Sequence, residues 1–162
     1  VGSDVLLTVG QNTPGGMRGP TQVALFDVSD LSQPKRLDEF TFEQFSRSEA
    51  ELDHHAFGYF AEHGLLAIPT QGSRVERVDQ DGDGYQETRR WITEHRLAVF
   101  RIDVGADLEE ATIELVAEIE HEGLVRRSGY IGNKLYSLAN DSLKAVAVSA
   151  SRNTVPSTNS IT

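Results

Sequence analysis

The sequence predicts an all-β fold made of successive four-stranded antiparallel sheets, and two observations support this prediction. Short apolar runs recur along the chain and align with one another, and each is followed by a run in which apolar and polar residues alternate. Alternation with a period of two is typical of strands that are buried on one face. The apolar runs occupy residues 5–9, 64–68 and 134–138, and the alternating runs occupy 23–29, 97–103 and 143–149.

Each aligned unit contains further strand-like segments, which bring the number of strands per unit to four. A run precedes the second and third units, and a closing run follows the first and second. Glycine-containing turns at 62–64 and 132–133 are short enough for hairpins. The preceding runs are residues 57–60 and 128–131, and the closing runs are 35–42 and 112–120.

The spacing of the units indicates a β-propeller fragment of about three four-stranded antiparallel blades. The step from Leu97 to Leu143 is close to the ~40–45 residues of a propeller blade. The step from Val23 to Leu97 is longer because residues 70–95 form an insertion between two strands. We therefore assign residues 1–150 to a partial propeller and 151–162 to a polar tail.

The sequence leaves two questions open: whether the fold is a propeller or a sandwich, and how a propeller would be completed. A β-sandwich also has short alternating strands, although its strands need not align as repeats. Closed propellers have about four to eight blades. Either further blades belong to the natural protein, or copies of the chain associate to complete a ring.

Composition excludes several classes of function. The net charge of −10 disfavours nucleic acid and anionic membranes as partners, because such a surface repels phosphate. The absence of cysteine excludes disulfides and thiolate chemistry. The sequence contains no apolar run of the ~20 residues that a membrane helix needs, so we expect no membrane insertion.

Part of the acidity is concentrated in the insertion, where oxygen-bearing residues alternate. Such spacing lets carboxylates converge on a hard cation, and Gly84 at the sixth position permits the turn that calcium loops need. The predicted calcium ligands are Asp79, Asp81, Asp83, the carbonyl of Tyr85, and Glu87.

This loop departs from a helix–loop–helix calcium site. Position twelve, where a bidentate glutamate is usual, is Arg90. The flanking segments 73–78 and 88–92 resemble strands, so we expect a calcium loop at a hairpin tip, with Glu87 or a distant residue completing the shell. The alternative is a solvated acidic turn, because Asp and Gly are common in turns.

A second polar cluster precedes the strand at residue 57. It comprises Glu49, Glu51, Asp53, His54 and His55. These side chains suit a transition metal or an acid–base pair. Neighbouring residues on a strand point to opposite faces, which argues against joint ligation by both histidines. We favour a loop-to-strand corner in which Asp53 and one histidine bond to the backbone.

The remaining candidates have weaker signals. His63, His95 and His121 are scattered and are predicted to lie on the surface. Trp91 is predicted to be a packing anchor beside the acidic loop. Ser137 has no sequence-visible base to activate it.

Four stretches of the chain resemble a known family. Residues 23–30, 48–57 and 64–69 resemble secreted bacterial and archaeal proteins with a C-terminal β-propeller domain distantly related to WD40 repeats. The segment 126–136 resembles the opening of a blade in that family, and the likeness extends to about Val148. The resemblance implies an extracytoplasmic propeller and implies no reaction.

Together these observations predict a non-catalytic binding or scaffold module, extracellular or on the cell surface. Its loops would face a protein or polysaccharide ligand, and calcium would stiffen it. The alternative is a hydrolase or lyase with a site near Asp53, His54 and His55 that other blades complete. A purely structural spacer is a third hypothesis.

Overall fold

A computed structural model describes residues 1–2, 4–78, 82, 88–147 and 159–161, and these form strands, 3-10 turns and connections with no α-helix among them. The first sheet has three antiparallel strands in the order β1-β2-β3. These strands are β1 (Val5–Gln11), β2 (Thr21–Asp27) and β3 (Lys35–Thr41).

The second sheet has five strands in the order β4-β6-β7-β8, and β5 pairs with β6 beside β4. Its strands are β4 (Arg47–Ser48), β5 (Gly58–Phe60), β6 (Leu65–Val78), β7 (Thr88–Asp103) and β8 (Thr112–His121). The tight turn between β5 and β6 ends at Gly64, whose φ of 58° lies in the left-handed region that glycine tolerates.

The third sheet has four antiparallel strands in the order β12-β11-β10-β9. They are β9 (Val125–Ile131), β10 (Lys134–Ala139), β11 (Leu143–Ala147) and β12 (Asn159–Ile161). β12 lies within the segment that we assigned to a polar tail. The three consecutive antiparallel meanders confirm the predicted all-β propeller fragment.

The core lies between the sheets, and strand alternation explains how the middle sheet contributes to both interfaces. Leu66 and Ile68 of β6 pack toward the first sheet, in a cluster with Leu25. Leu65 and Ala67 pack toward the third sheet, in a second cluster. Successive side chains of a strand point to opposite faces, so one strand supplies two cores. The cluster facing the third sheet contains Leu65, Ala67, Leu97, Val99, Ile119, Val125, Leu135, Ala139 and Val146.

The meander places every second connection at the same end of the sheets, which we call the loop face. Its backbone contacts show this directly: Phe42 N donates to Thr21 O (3.0 Å), and Asn140 N donates to Leu124 O (3.0 Å). Among the described residues, the loop face comprises 12–20, 42–57, 71–78, 88–95, 122–124 and 140–142. The opposite end carries the connections 28–34 and 104–111.

The insertion forms a long hairpin that extends from the loop face. β6 and β7 remain paired without a register shift from Leu65↔Arg101 to Val78↔Thr88. The predicted flanking strands are therefore present. The predicted calcium ligands Asp79, Asp81, Asp83, Tyr85 and Glu87 lie outside the described residues.

The described part of the chain includes no helix that is long and apolar enough to span a membrane.

Candidate ligand-binding face

The connection between the first and second sheets is held in place by buried polar contacts. Glu51 accepts hydrogen bonds from the hydroxyl of Thr21 (2.7 Å) and from the backbone N–H of Ser48 (3.0 Å). Ser48 donates to the carbonyl of Pro69 (2.7 Å) and accepts from the N–H of Ala50 (3.2 Å). Ser48 and Glu51 thus form a reciprocal capping box at a 3-10 turn, Glu49–Glu51, which fixes the position of the following residues.

Asp53 lies at the next corner of this connection, where it caps the 3-10 turn His54–Ala56. Its Oδ1 accepts the backbone N–H of His55 (2.9 Å) and lies 3.1 Å from His55 Nδ1. Its Oδ2 accepts from the guanidinium of Arg127 on β9 (2.6 Å). The hydrogen bond from the His55 backbone is the main cause that lowers the pKa of Asp53, and the His55 ring and Arg127 add to it. Asp53 is therefore an anion at neutral pH.

The two histidines of this corner lie close together. Their ring centroids are 3.9 Å apart and the planes are inclined by 36°. One ligand atom from each of Asp53, His54 and His55 lies within 4.8 Å of the others. On a strand, adjacent residues would point to opposite faces; these residues instead form a 3-10 turn, which supplies the bend that joint ligation by both histidines requires. The predicted backbone bond to Asp53 is present.

The other two acidic residues of the predicted cluster point elsewhere. Glu49 forms an ion pair with Arg126 (2.9 Å), and Glu51 faces Thr21. Only Asp53, His54 and His55 therefore converge. Sequence analysis did not identify Arg126 and Arg127 as part of this site. They lie near the start of β9 and come close to the corner only in the folded structure. The capping box of Ser48 and Glu51, in contrast, has a recognisable local signature.

An exposed aromatic pair joins the connection 42–57 to the outer half of the long hairpin, where Phe45 contacts Trp91 of β7. The rings of Phe45 and Trp91 are 6.4 Å apart and nearly perpendicular, at 84°. Phe45 is 69% exposed and Trp91 is 65% exposed. Our prediction that Trp91 is a packing anchor is therefore wrong, because the indole is largely open to solvent. The side chain of Val75, which pairs with Trp91 across the hairpin, is also exposed.

Phe45 has an unusual backbone. Its φ of 65° makes it the one non-glycine residue with positive φ among the described residues. This conformation costs on the order of 1–3 kcal/mol for a residue with a large side chain. Such strain is concentrated at functional sites, and here it directs a phenyl ring into solvent beside Trp91.

Polar and basic side chains continue the hairpin face that carries Trp91. Residues paired across two strands share a face, as do residues two apart along one strand. The pair Ser73↔Thr93 therefore lies toward the base from Trp91, and the pair Arg77↔Arg89 lies toward the tip. We call Phe45, Val75 and Trp91, with these flanking pairs, the hairpin platform.

His121 contradicts its predicted place on the surface. It is 7% exposed, with Nε2 2.8 Å from Ser137 Oγ and Nδ1 2.8 Å from Ser142 Oγ. Burial lowers its pKa, with a further contribution from the nearby charge of Lys144. Ser137 thus has a histidine beside it after all, but its side chain is fully buried and closed to a substrate. The arrangement joins β8 to the third sheet.

A groove of about 200 Å³ lies between the corner and the third sheet. Leu52 and Pro69 form part of one wall, and Leu124 and Val125 form part of another. Glu49 also lines it, but that carboxylate is paired with Arg126. His54 and His55 are solvent-exposed, and this favours binding over catalysis at the corner.

Comparisons with known proteins agree with this architecture. A family model described as a beta propeller domain matches residues 1–151. The chain is 24% identical over 131 residues to the uncharacterized protein MJ1554 of Methanocaldococcus jannaschii, covering 75% of this chain and 20% of that protein. It is 33% identical over 70 residues to an uncharacterized protein of Archaeoglobus fulgidus, covering 41% of this chain and 11% of that protein. The chain therefore spans a fifth or less of these relatives, and neither name states an activity. No solved structure matches significantly.

Proposed function

The chain belongs to the family of β-propeller domains, and we propose that it is a non-catalytic binding module that acts outside the cytoplasm and holds a polysaccharide on its hairpin platform. The single observation that supports this most is the exposed Phe45–Trp91 pair on the loop face. Propellers support many functions, so the proposal depends on this surface and not on the fold.

The aromatic pair suits the apolar faces of sugar rings. An aromatic face carries negative charge density and attracts the weakly positive C–H bonds that a pyranose presents. Two rings at nearly a right angle, 6.4 Å apart, offer one broad face and one edge. Both side chains have few rotatable bonds, so little conformational entropy is lost when a ligand binds.

The neighbours of the pair supply the polar part of such a site. Ser73 and Thr93 place hydroxyl groups on the same hairpin face, where they can bond to sugar hydroxyls. Arg77 and Arg89 lie on the other side of Trp91 and offer guanidinium donors to hydroxyls or carboxylates. An aromatic centre with converging polar groups is typical of small-ligand sites.

A polysaccharide fits this platform better than a protein partner does. Stable protein interfaces bury about 1,200–2,000 Å² in total. The apolar part of the platform consists of only Phe45, Val75 and Trp91, which matches a few sugar rings. The fluorescence experiment described below distinguishes a polysaccharide from a protein ligand.

Calcium at the hairpin tip is the second part of the proposal. The unbroken pairing to Val78↔Thr88 supports it, because this pairing brings both ends of the acidic segment together. We propose that Asp79, Asp81, Asp83, Glu87 and the carbonyl of Tyr85 hold the ion. The ion would order the segment 79–87 and so fix the platform residues that precede and follow it.

Trp91 is the only tryptophan, so its fluorescence reports on the platform directly. We expect neutral and uronate-bearing polysaccharides, added in saturating calcium, to shift or quench this emission. Phe45→Ala should weaken the binding by about tenfold or more, because it removes one of two contact rings. Leu31→Ala, an exposed apolar residue at the opposite end of the sheets, is the matched control and should bind normally.

Polysaccharide binding that Phe45→Ala leaves unchanged would refute the platform as the site. Emission that responds to a protein partner but to none of the polysaccharides would refute the ligand class.

A further inference from the structure

We propose that Asp53, His54 and His55 form a binding site for a divalent transition ion of the zinc type. This site is separate from the calcium loop and from the hairpin platform, and the inference does not rest on the proposed function. It concerns ion binding at the loop-face corner beside β9.

The donor set fits the chemistry of such an ion. Two imidazoles and one carboxylate suit zinc and its neighbours, whereas calcium and magnesium prefer oxygen donors alone. Both histidines are exposed, so their ring nitrogens are accessible to an ion from solution. The carboxylate of Asp53, whose Oδ1 accepts a hydrogen bond from the His55 backbone at 2.9 Å, supplies the third ligand.

The geometry is already close to that of a metal centre. Bond lengths of 2.0–2.1 Å in a tetrahedral shell separate neighbouring ligand atoms by about 3.3 Å. His55 Nδ1 and Asp53 Oδ1 are 3.1 Å apart, near that spacing. All three ligand atoms lie within 4.8 Å, so rotation of the His54 ring is enough to complete the set.

Side chains around the corner orient the Asp53 ligand and balance the nearby positive charge. Ligating carboxylates usually have a second hydrogen-bond partner that orients them. Arg127 fills this role, because it holds Asp53 Oδ2 at 2.6 Å and leaves Oδ1 toward the histidines. The adjacent guanidinium of Arg126 is compensated by Glu49 at 2.9 Å, which limits its repulsion of a cation.

Three consecutive residues supply the whole set, and their backbone is fixed in advance. The capping box at Ser48 and Glu51 and the Asp53 cap hold the two successive 3-10 turns. Prior order of this kind lowers the entropy cost of binding. Three protein ligands leave a coordination position open to solvent, as in zinc sites that accept a further ligand.

The test is calorimetric titration of the full chain, without a polyhistidine tag, with zinc chloride in saturating calcium. We expect one saturable site. Asp53→Asn, His54→Ala and His55→Ala should each weaken zinc binding by at least about tenfold, the low end of what even an outer-shell loss costs. Asp53→Asn keeps an acceptor for the backbone cap, so its effect reports the loss of the anionic ligand.

Two matched controls separate this site from others. His63→Ala removes an exposed histidine at the opposite end of β5 and should leave the isotherm unchanged. Asp81→Ala removes a predicted calcium ligand and should also leave zinc binding unchanged. Imidazole NMR signals of His54 and His55, but not of His63 or His121, should shift on zinc addition.

Absence of saturable zinc binding would overturn the proposal. An isotherm unchanged by the double substitution His54→Ala and His55→Ala would overturn it as well. Zinc binding that disappears only in Asp81→Ala would assign the ion to the hairpin tip and equally refute the corner site.

Discussion

Several individual residues have roles that depend on contacts far apart in sequence. Phe45, in the connection 42–57, contacts Trp91 of β7, and Arg127 of the third sheet donates a hydrogen bond to Asp53. Local sequence carries no signal for such pairs. The convergence of Asp53, His54 and His55 depended on one local fact, a 3-10 turn in place of a strand, which the alternation rule did not anticipate.

His121 leads to a prediction at this scale. Ser142 Oγ donates to Asp141 Oδ1 (3.1 Å), so it accepts from His121 Nδ1–H, and Nε2 is left to accept from Ser137. This neutral ring matches a pKa lowered by burial. Protonation would add a second donor where Ser137 now donates, and it would place a charge near Lys144.

The sign of the pH effect follows from linkage. The pKa of His121 is lower in the folded chain than the ordinary 6.5, so the unfolded chain binds the proton first. The contribution of neutral His121 to the free energy of unfolding is fully present above pH ~6.5. It is lost as the pH falls through the folded pKa, with a slope of no more than about 1.4 kcal/mol per pH unit.

Urea unfolding between pH 7.5 and 5.5 checks this prediction. The native chain should lose stability over this range, and His121→Asn should be less stable at pH 7.5 but flatter with pH. His63→Ala should retain the native slope. An equal slope in His121→Asn would assign the effect to other groups.

At the scale of elements, the strands were the most predictable part of the structure. Alternating apolar residues determine which face of a strand is buried, and this local pattern survives folding. Predicted runs such as 35–42 and 112–120 correspond to β3 (Lys35–Thr41) and β8 (Thr112–His121). The connection 42–57 was less predictable, because its two 3-10 turns and β4 depend on bonds to Thr21 and Pro69.

The long hairpin gives a prediction for calcium. In the proposed calcium loop, a bound cation would offset the mutual repulsion of the aspartates in the segment 79–87 and stabilise the folded chain. We expect the melting temperature to fall by a few degrees when EDTA replaces calcium, since binding at 100 times Kd contributes about 2.7 kcal/mol. Differential scanning fluorimetry measures this shift.

Asp81→Ala should abolish the difference between calcium and EDTA, while His63→Ala should preserve it. The same melting temperature in calcium and EDTA for the native chain would eliminate the calcium loop.

At the scale of the whole molecule, the three sheets pack as successive blades. A Cβ on Gly58 of β5 would clash with Ser128 Oγ of β9, so the second and third sheets approach closely there. This contact joins β5 of the second sheet to β9, the first strand of the third sheet. It also explains why the connections that precede β5 and β9 lie together, with Asp53 beside Arg127.

The functional consequence of this packing is that one end of the molecule gathers the candidate sites. The hairpin platform and the Asp53 corner both belong to the loop face. The connections 28–34 and 104–111 lie at the other end. The exposed aromatic pair could be identified only in the folded structure, because Phe45 and Trp91 are far apart in sequence.

Hydrogen exchange by mass spectrometry tests this claim most directly, with the polysaccharide that gives the largest change in Trp91 emission. We predict slower exchange at 43–47 and 88–95 on ligand addition, with no change at 28–34 and 104–111. Protection confined to 28–34 and 104–111, or none at 43–47 and 88–95 under saturating ligand, would contradict binding at the loop face.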